Sequence, residues 1–163
     1  PSDEEIHFQI GAHPAFYYPA FNPAESRRGF FGFGGKRRLE YLLIAEKGCV
    51  DIEKRNHLEL GGEGLLPIDT HTFDHDALII EDDQVKEVTL YDLEKRPYIT
   101  LRFDAPVVGL WSPPGKNAPF VCIEPWYGRC DRMCYVSEFK DKDWMQHLQA
   151  HGVFRAEYLI EVR

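Results

Sequence analysis

The chain has 163 residues, 44% of them hydrophobic and 28% charged, a balance that excludes a disordered tail, a collagen-like fibre and a small disulfide scaffold. Nineteen Lys and Arg against 27 Asp and Glu leave a formal charge of -8, which argues against the broad basic face that tracks nucleic-acid phosphates. No run approaches the roughly 18 apolar residues of a membrane helix and no basic-then-apolar signal pattern opens the text, so neither nucleic acid nor membrane is an expected partner.

Taken in chain order, the text reads as strands with period-2 alternation, punctuated by Gly and Pro. Strands are expected at Ile6 to Ile10, Leu39 to Ala45, Ala77 to Ile80, Lys86 to Tyr91, Tyr98 to Phe103, Val108 to Trp111, Phe120 to Ile123 and Phe154 to Val162. Turn chemistry interrupts them at Asn22-Pro23-Ala24-Glu25, Gly61-Gly62-Glu63-Gly64 and Ser112-Pro113-Pro114-Gly115. One short helix is expected around Asp143 to Ala150, ended by Gly152. The expected fold class is all-β, an antiparallel sandwich with residues 1–163 in one domain. The text opens Pro1-Ser2-Asp3 without Met and is strand-like by Ile6, which points to a portion of a longer chain.

Cys49, Cys122, Cys130 and Cys134 fit neither a secreted disulfide framework nor a zinc-ribbon spacing, which is consistent with a reducing cytoplasm. The segment Arg27-Arg28-Gly29-Phe30-Phe31-Gly32-Phe33-Gly34-Gly35-Lys36-Arg37-Arg38 reads either as a solvated hairpin tip or as a loop touching sugar or phosphate. His147 and His151 lie four apart, on one face of the expected helix, without the glutamate of a zinc-protease motif. His71 and His75, among Asp69, Asp74 and Asp76, offer metal-type donors on a loop where that spacing does not converge by itself.

Two proton-transfer side chains directly precede proline after an apolar strand, His13 before Pro14 and Glu124 before Pro125. Proline holds the preceding residue extended and donates no hydrogen bond, so each strand is expected to leave its ladder with its last side chain fixed in direction. Such rigid ends suit catalytic groups, and they equally suit plain polar terminators.

The stretches Gln9-Ile10-Gly11-Ala12-His13-Pro14-Ala15-Phe16, Phe73-Asp74-His75-Asp76-Ala77-Leu78-Ile79-Ile80 and Ala118-Pro119-Phe120-Val121-Cys122-Ile123-Glu124-Pro125-Trp126 through Asp131 resemble the aldose 1-epimerase (galactose mutarotase) family, in its order. The resemblance covers the whole chain but only the C-terminal part of that family's β-sandwich. It implies cofactor-free and metal-free interconversion of the α and β anomers of a free hexose such as glucose or galactose. It implies Glu124 as general base on the anomeric hydroxyl and His13 as general acid on the ring oxygen. It makes Asp76, or Asp74 if the register is two residues off, a ligand of sugar hydroxyls.

A carboxylate and an imidazole are suited to this chemistry near neutral pH, and were expected to flank a sugar-sized gap. Trp126 and Trp111 are candidates to stack on a pyranose, or are ordinary core aromatics. The family's second site histidine and its arginine lie upstream of the matched part, and His7, six residues before His13, does not replace that histidine. The expectation is therefore a site completed by the upstream half or by a second copy. The competing readings are a sugar-binding or sugar-sensing sandwich without turnover, and a metal-dependent sandwich enzyme using His71, Asp74 and His75.

Overall fold

Alternating side chains build two sheets whose apolar faces meet. The computed structural model describes residues 2–163, and Pro1, on which the sequence opens, lies outside the described residues. In chain order the strands are β1 (Ile6–Phe8), β2 (Ile10–Gly11), β3 (Ala15–Tyr17), β4 (Arg27–Gly32), β5 (Arg38–Tyr41), β6 (Asn56–Glu59) and β7 (Leu65–Asp69). They continue as β8 (Leu78–Ile80), β9 (Glu87–Tyr91), β10 (Pro97–Phe103), β11 (Val107–Trp111), β12 (Phe120–Tyr127), β13 (Gln146–Leu148) and β14 (Tyr158–Val162). One five-stranded sheet runs β14-β10-β9-β4-β7; the other runs β2-β12-β11-β8, with β3 also on β12; β1-β13 and β5-β6 form separate pairs. Every named pairing is antiparallel. The fold is thus the expected all-β antiparallel sandwich.

The core between the sheets is filled by Phe31, Val88, Leu90 and Leu101 from the first and by Ile80, Val108, Leu110, Val121 and Ile123 from the second. Because side chains alternate along a strand, the residues between these face the other way. Val107, Trp111 and Trp126 accordingly join Leu42, Val50, Ala77 and Ile79 in a second cluster on the outer face of the β12 sheet. That face carries the candidate site.

Several expectations change. The helix around Asp143 to Ala150 is absent: Gln146–Leu148 is β13, paired with β1, and Trp144 has φ of 62°, which no right-handed helix accommodates. A segment this short also gains too little from helical hydrogen bonds to resist a strand partner. Among the described residues, helical structure is limited to 3₁₀ turns at Glu46–Gly48 and Phe139–Asp141. His147 therefore sits on β13 and His151 in a turn, not on one helix face.

The basic, Phe-rich segment is strand at its two ends, with an exposed turn at Gly34 and Gly35 between them. Arg27–Gly32 is an inner strand between β7 and β9, with Phe31 and Phe33 buried. Gly29 has φ of 143° and leaves no space for a Cβ beside the Tyr91 carbonyl. The Arg28 guanidinium is buried and donates to the carbonyls of Asn22 and Glu25 and to the Asn117 side chain, while Arg37 donates to the carbonyls of Gly61 and Gly62. Those donors are already used within the protein and do not form a phosphate clamp.

The tail strand is shorter than expected, Tyr158–Val162, and lies at the sheet edge on β10 with Tyr158, Leu159, Ile160 and Val162 exposed. All four cysteines are free thiols. No helix among the described residues is long and apolar enough to cross a membrane.

Candidate active site

Strand β12 sets the site. Glu124 stands inside this strand rather than at its end, so the expectation of a strand terminator is corrected, and Pro125 continues the strand. The ladder tolerates this proline because its partner strand is broken there. β2 pairs with Trp126 and Tyr127, and β3 pairs with Phe120, Val121 and Cys122. Between them the Ala12 N–H donates to the Pro125 carbonyl at 3.0 Å and the Ile123 N–H donates to the Pro14 carbonyl at 3.2 Å. Each proline thus joins its partner through its carbonyl alone, Pro125 to Ala12 and Pro14 to Ile123, with no N–H to return.

The same register puts His13, in the break between β2 and β3, across from Glu124. On the other side of Glu124 lies Gly109 of β11, which in turn faces Ile79 of β8. One row across the sheet therefore reads Ile79, Gly109, Glu124, His13. The His13 Nε2 lies 3.3 Å from Glu124 Oε1; the imidazole is 59% exposed and the carboxylate side chain only 5%. Acid and base candidates thus touch directly, whereas a sugar-sized separation was expected.

Burial pushes the Glu124 carboxyl from its ordinary 4.5 up to about 7; His13 and the Trp126 indole pull it back, and the Asp76 charge adds to the rise. A carboxylate so placed exchanges its proton near neutrality. Cys122, also on this face, has its thiol pushed up to about 12 by burial and by Glu124, which keeps it protonated.

The floor is aromatic. The Trp126 indole lies across two glycines: a Cβ on Gly109 would stand 2.5 Å from its Cη2, and one on Gly11 would collide with its Cδ1. Neither neighbouring strand offers any other residue type room beneath that ring. Trp111 meets the His13 imidazole edge to face, with ring centroids 5.7 Å apart, and orients it. Gly11, His13, Glu124, Trp126 and Arg129 line an open cavity of about 320 Å³.

Of the two aspartates, Asp76 acts electrostatically on Glu124, while Asp74 accepts a hydrogen bond from His71 Nδ1 at 2.8 Å in an exposed turn. Asp76 has φ of 69°, and its own carboxylate accepts the Ala77 N–H at 2.7 Å. His71, Asp74 and His75 do not form a metal-type cluster; among the described residues such three-donor groups are His13–Cys122–Glu124 and Glu5–His7–His147.

Arg129 had no sequence signal. It is buried beside the cavity, with Nε 2.7 Å from Glu81 and Nη2 2.8 Å from Asp143, and Glu81 also receives the Trp144 indole N–H at 2.9 Å and Arg55 at 3.0 Å. This network fixes the chain after β12 and, through the Gln9 amide on the Asp143 carbonyl, the approach to β2. Gly109 was readable, since a lone glycine within Val107–Trp111 marks a close approach.

No protein-family model matches the chain. Protein LacX of Lactococcus lactis subsp. lactis, in plasmid and chromosomal forms, is 28% identical over 129 residues, 78% of this chain and 42% of the relative. A galactose mutarotase related enzyme from Lactobacillus acidophilus superposes with a TM-score of 0.84 at 27% identity, over 99% of this chain and 54% of that one. This is a galactose mutarotase-related fold. A galactose mutarotase-like protein from Lactobacillus casei has the same fold, with a TM-score of 0.72 at 22% identity, over 97% of this chain and 53% of the other. The chain spans about half the length of the proteins it matches.

Proposed function

We propose that the chain carries the acid/base pair of an aldose 1-epimerase. The observation that supports this most is the 3.3 Å contact between a buried carboxylate and an exposed imidazole on an open, Trp-floored face. Ionised Glu124 takes the proton of the C1 hydroxyl as protonated His13 delivers one to the ring oxygen. The C1–O5 bond breaks and the aldehyde forms. Rotation about C1–C2 presents the other carbonyl face, and the pair, now neutral, runs the transfers backwards to close the opposite anomer. Atoms balance without a nucleophile, and each group contributes about 100- to 10,000-fold in rate. Trp126 receives the apolar face of the hexose, Trp111 holds His13, and Asp76 meets a hydroxyl.

The chain's half-length match supports a site completed by a complementary half or a second copy, and the exposed apolar edge strand β14 offers a place for either. The same half-length match favours one other reading, a sugar-binding sandwich without turnover. Polarimetry of freshly dissolved α-galactose separates the two. Acceleration by the wild type that falls to the spontaneous rate in Glu124→Gln supports the enzyme; calorimetric sugar binding with no acceleration supports the binder.

A further inference from the structure

We infer that Glu5, His7 and His147 form a binding site for a first-row divalent cation of the zinc class. The three lie away from β12, on the ribbon made by β1 and β13. His7 and His147 are direct cross-strand partners, so their side chains leave the same face. Glu5 and Gln149 lie just beyond the paired residues, two positions from His7 and His147, and their side chains hydrogen-bond to one another.

The geometry is that of ligands turned inward. The two Nδ1 atoms stand 3.1 Å apart, with the rings at 71° to one another. Two imidazole nitrogens bound at about 2.0–2.1 Å to a tetrahedral ion lie about 3.3–3.4 Å apart, so a cation enters with a shift of a few tenths of an ångström. Glu5 Oε1 lies 3.9 Å from His147 Nδ1, and all three donor atoms fall within 4.8 Å of one another. The Gln149 amide donates to Glu5 Oε1 at 2.6 Å, which holds the carboxylate beside the pair, with Oε2 4.0 Å from His7 Nε2.

Two nitrogens and one oxygen select a borderline cation over calcium or magnesium, which prefer oxygen donors. The ligands are half-exposed, which leaves the fourth position to water. The bound ion would cross-link the N-terminal strand to β13.

Isothermal titration of the untagged chain with Zn²⁺ tests this. One equivalent is expected to bind in the wild type, with affinity reduced more than about tenfold in His7→Gln, His147→Gln and Glu5→Gln and unchanged in His71→Gln. Glu5→Gln leaves the imidazole pair and the ribbon intact, so its loss of affinity does not reduce to misfolding. Co²⁺ in place of Zn²⁺ is expected to give a spectrum without a thiolate charge-transfer band. No binding by the wild type, binding that survives His147→Gln, or a thiolate band from Cys122 would overturn the assignment.

Discussion

Glu124→Gln is expected to stabilise the protein above neutrality, by an amount the structure sets. The Glu124 side chain is only 5% exposed, and burial raises its carboxyl from 4.5 to about 7. A carboxyl raised on folding binds more protons in the native than in the unfolded state between those two values, so stability falls as pH rises through that window. At 1.36 kcal/mol per pH unit the full penalty is roughly 3 kcal/mol, in place above about pH 7 and absent below about pH 4.5. Glutamine keeps the shape without the charge, and the value of about 7 already includes the pull of His13, so a net gain of about 3 kcal/mol is expected at pH 8. Urea unfolding of both proteins from pH 4.5 to 8 reads the difference, and other titrating groups cancel between them. A difference that stays flat over this range, or a variant less stable at pH 8, would refute the reasoning.

Four further outcomes follow from the same geometry. His13→Asn is expected to lower the rate of anomer exchange by about 100- to 10,000-fold in polarimetry, and to cost about 1 kcal/mol near neutral pH because the buried Glu124 carboxylate loses the neighbour that favours its charge. Gly109→Ala places a methyl group 2.5 Å from the Trp126 ring; a loss of about 1–3 kcal/mol in urea and weaker sugar binding in calorimetry are expected. Arg129→Ala leaves Glu81 with only Arg55 and Trp144, for a loss of about 3 kcal/mol in the same unfolding assay. Native mass spectrometry of the active species is expected to exceed 18.9 kDa, because the site is taken to need a second component; full activity in an 18.9 kDa monomer would contradict this.

The sandwich was legible because its inner strands carry plain alternation: Ile99, Leu101 and Phe103 declare β10, and Val108 and Leu110 declare β11. β4 was hidden because its arginines and glycines mimic a loop; only tertiary partners, the carbonyls around Arg28 and the Tyr91 carbonyl at Gly29, make it a strand. β13 was misread for the related reason that three residues cannot show a period, and pairing with β1 decides the matter.

At the site, the X-Pro pairs drew attention to His13 and Glu124 but for an incomplete reason. Pro14 lies in the break between β2 and β3 and Pro125 on β12 faces that break, which only the register reveals. Arg129 was invisible because its partners Glu81 and Asp143 lie 48 and 14 residues away, beyond any local pattern.

The claim at the centre is that a buried carboxylate with its proton affinity tuned to neutrality, beside His13, opens the sugar ring. The pH dependence of anomer exchange, followed by polarimetry with α-galactose, tests it most directly. The account predicts a bell-shaped wild-type profile, its rising limb inflecting near pH 7 as Glu124 ionises and its fall set by the need for a protonated His13, and a Glu124→Gln rate equal to the spontaneous one throughout. A wild-type rate indistinguishable from the spontaneous one at every pH, or a Glu124→Gln protein that keeps the same profile, would contradict it.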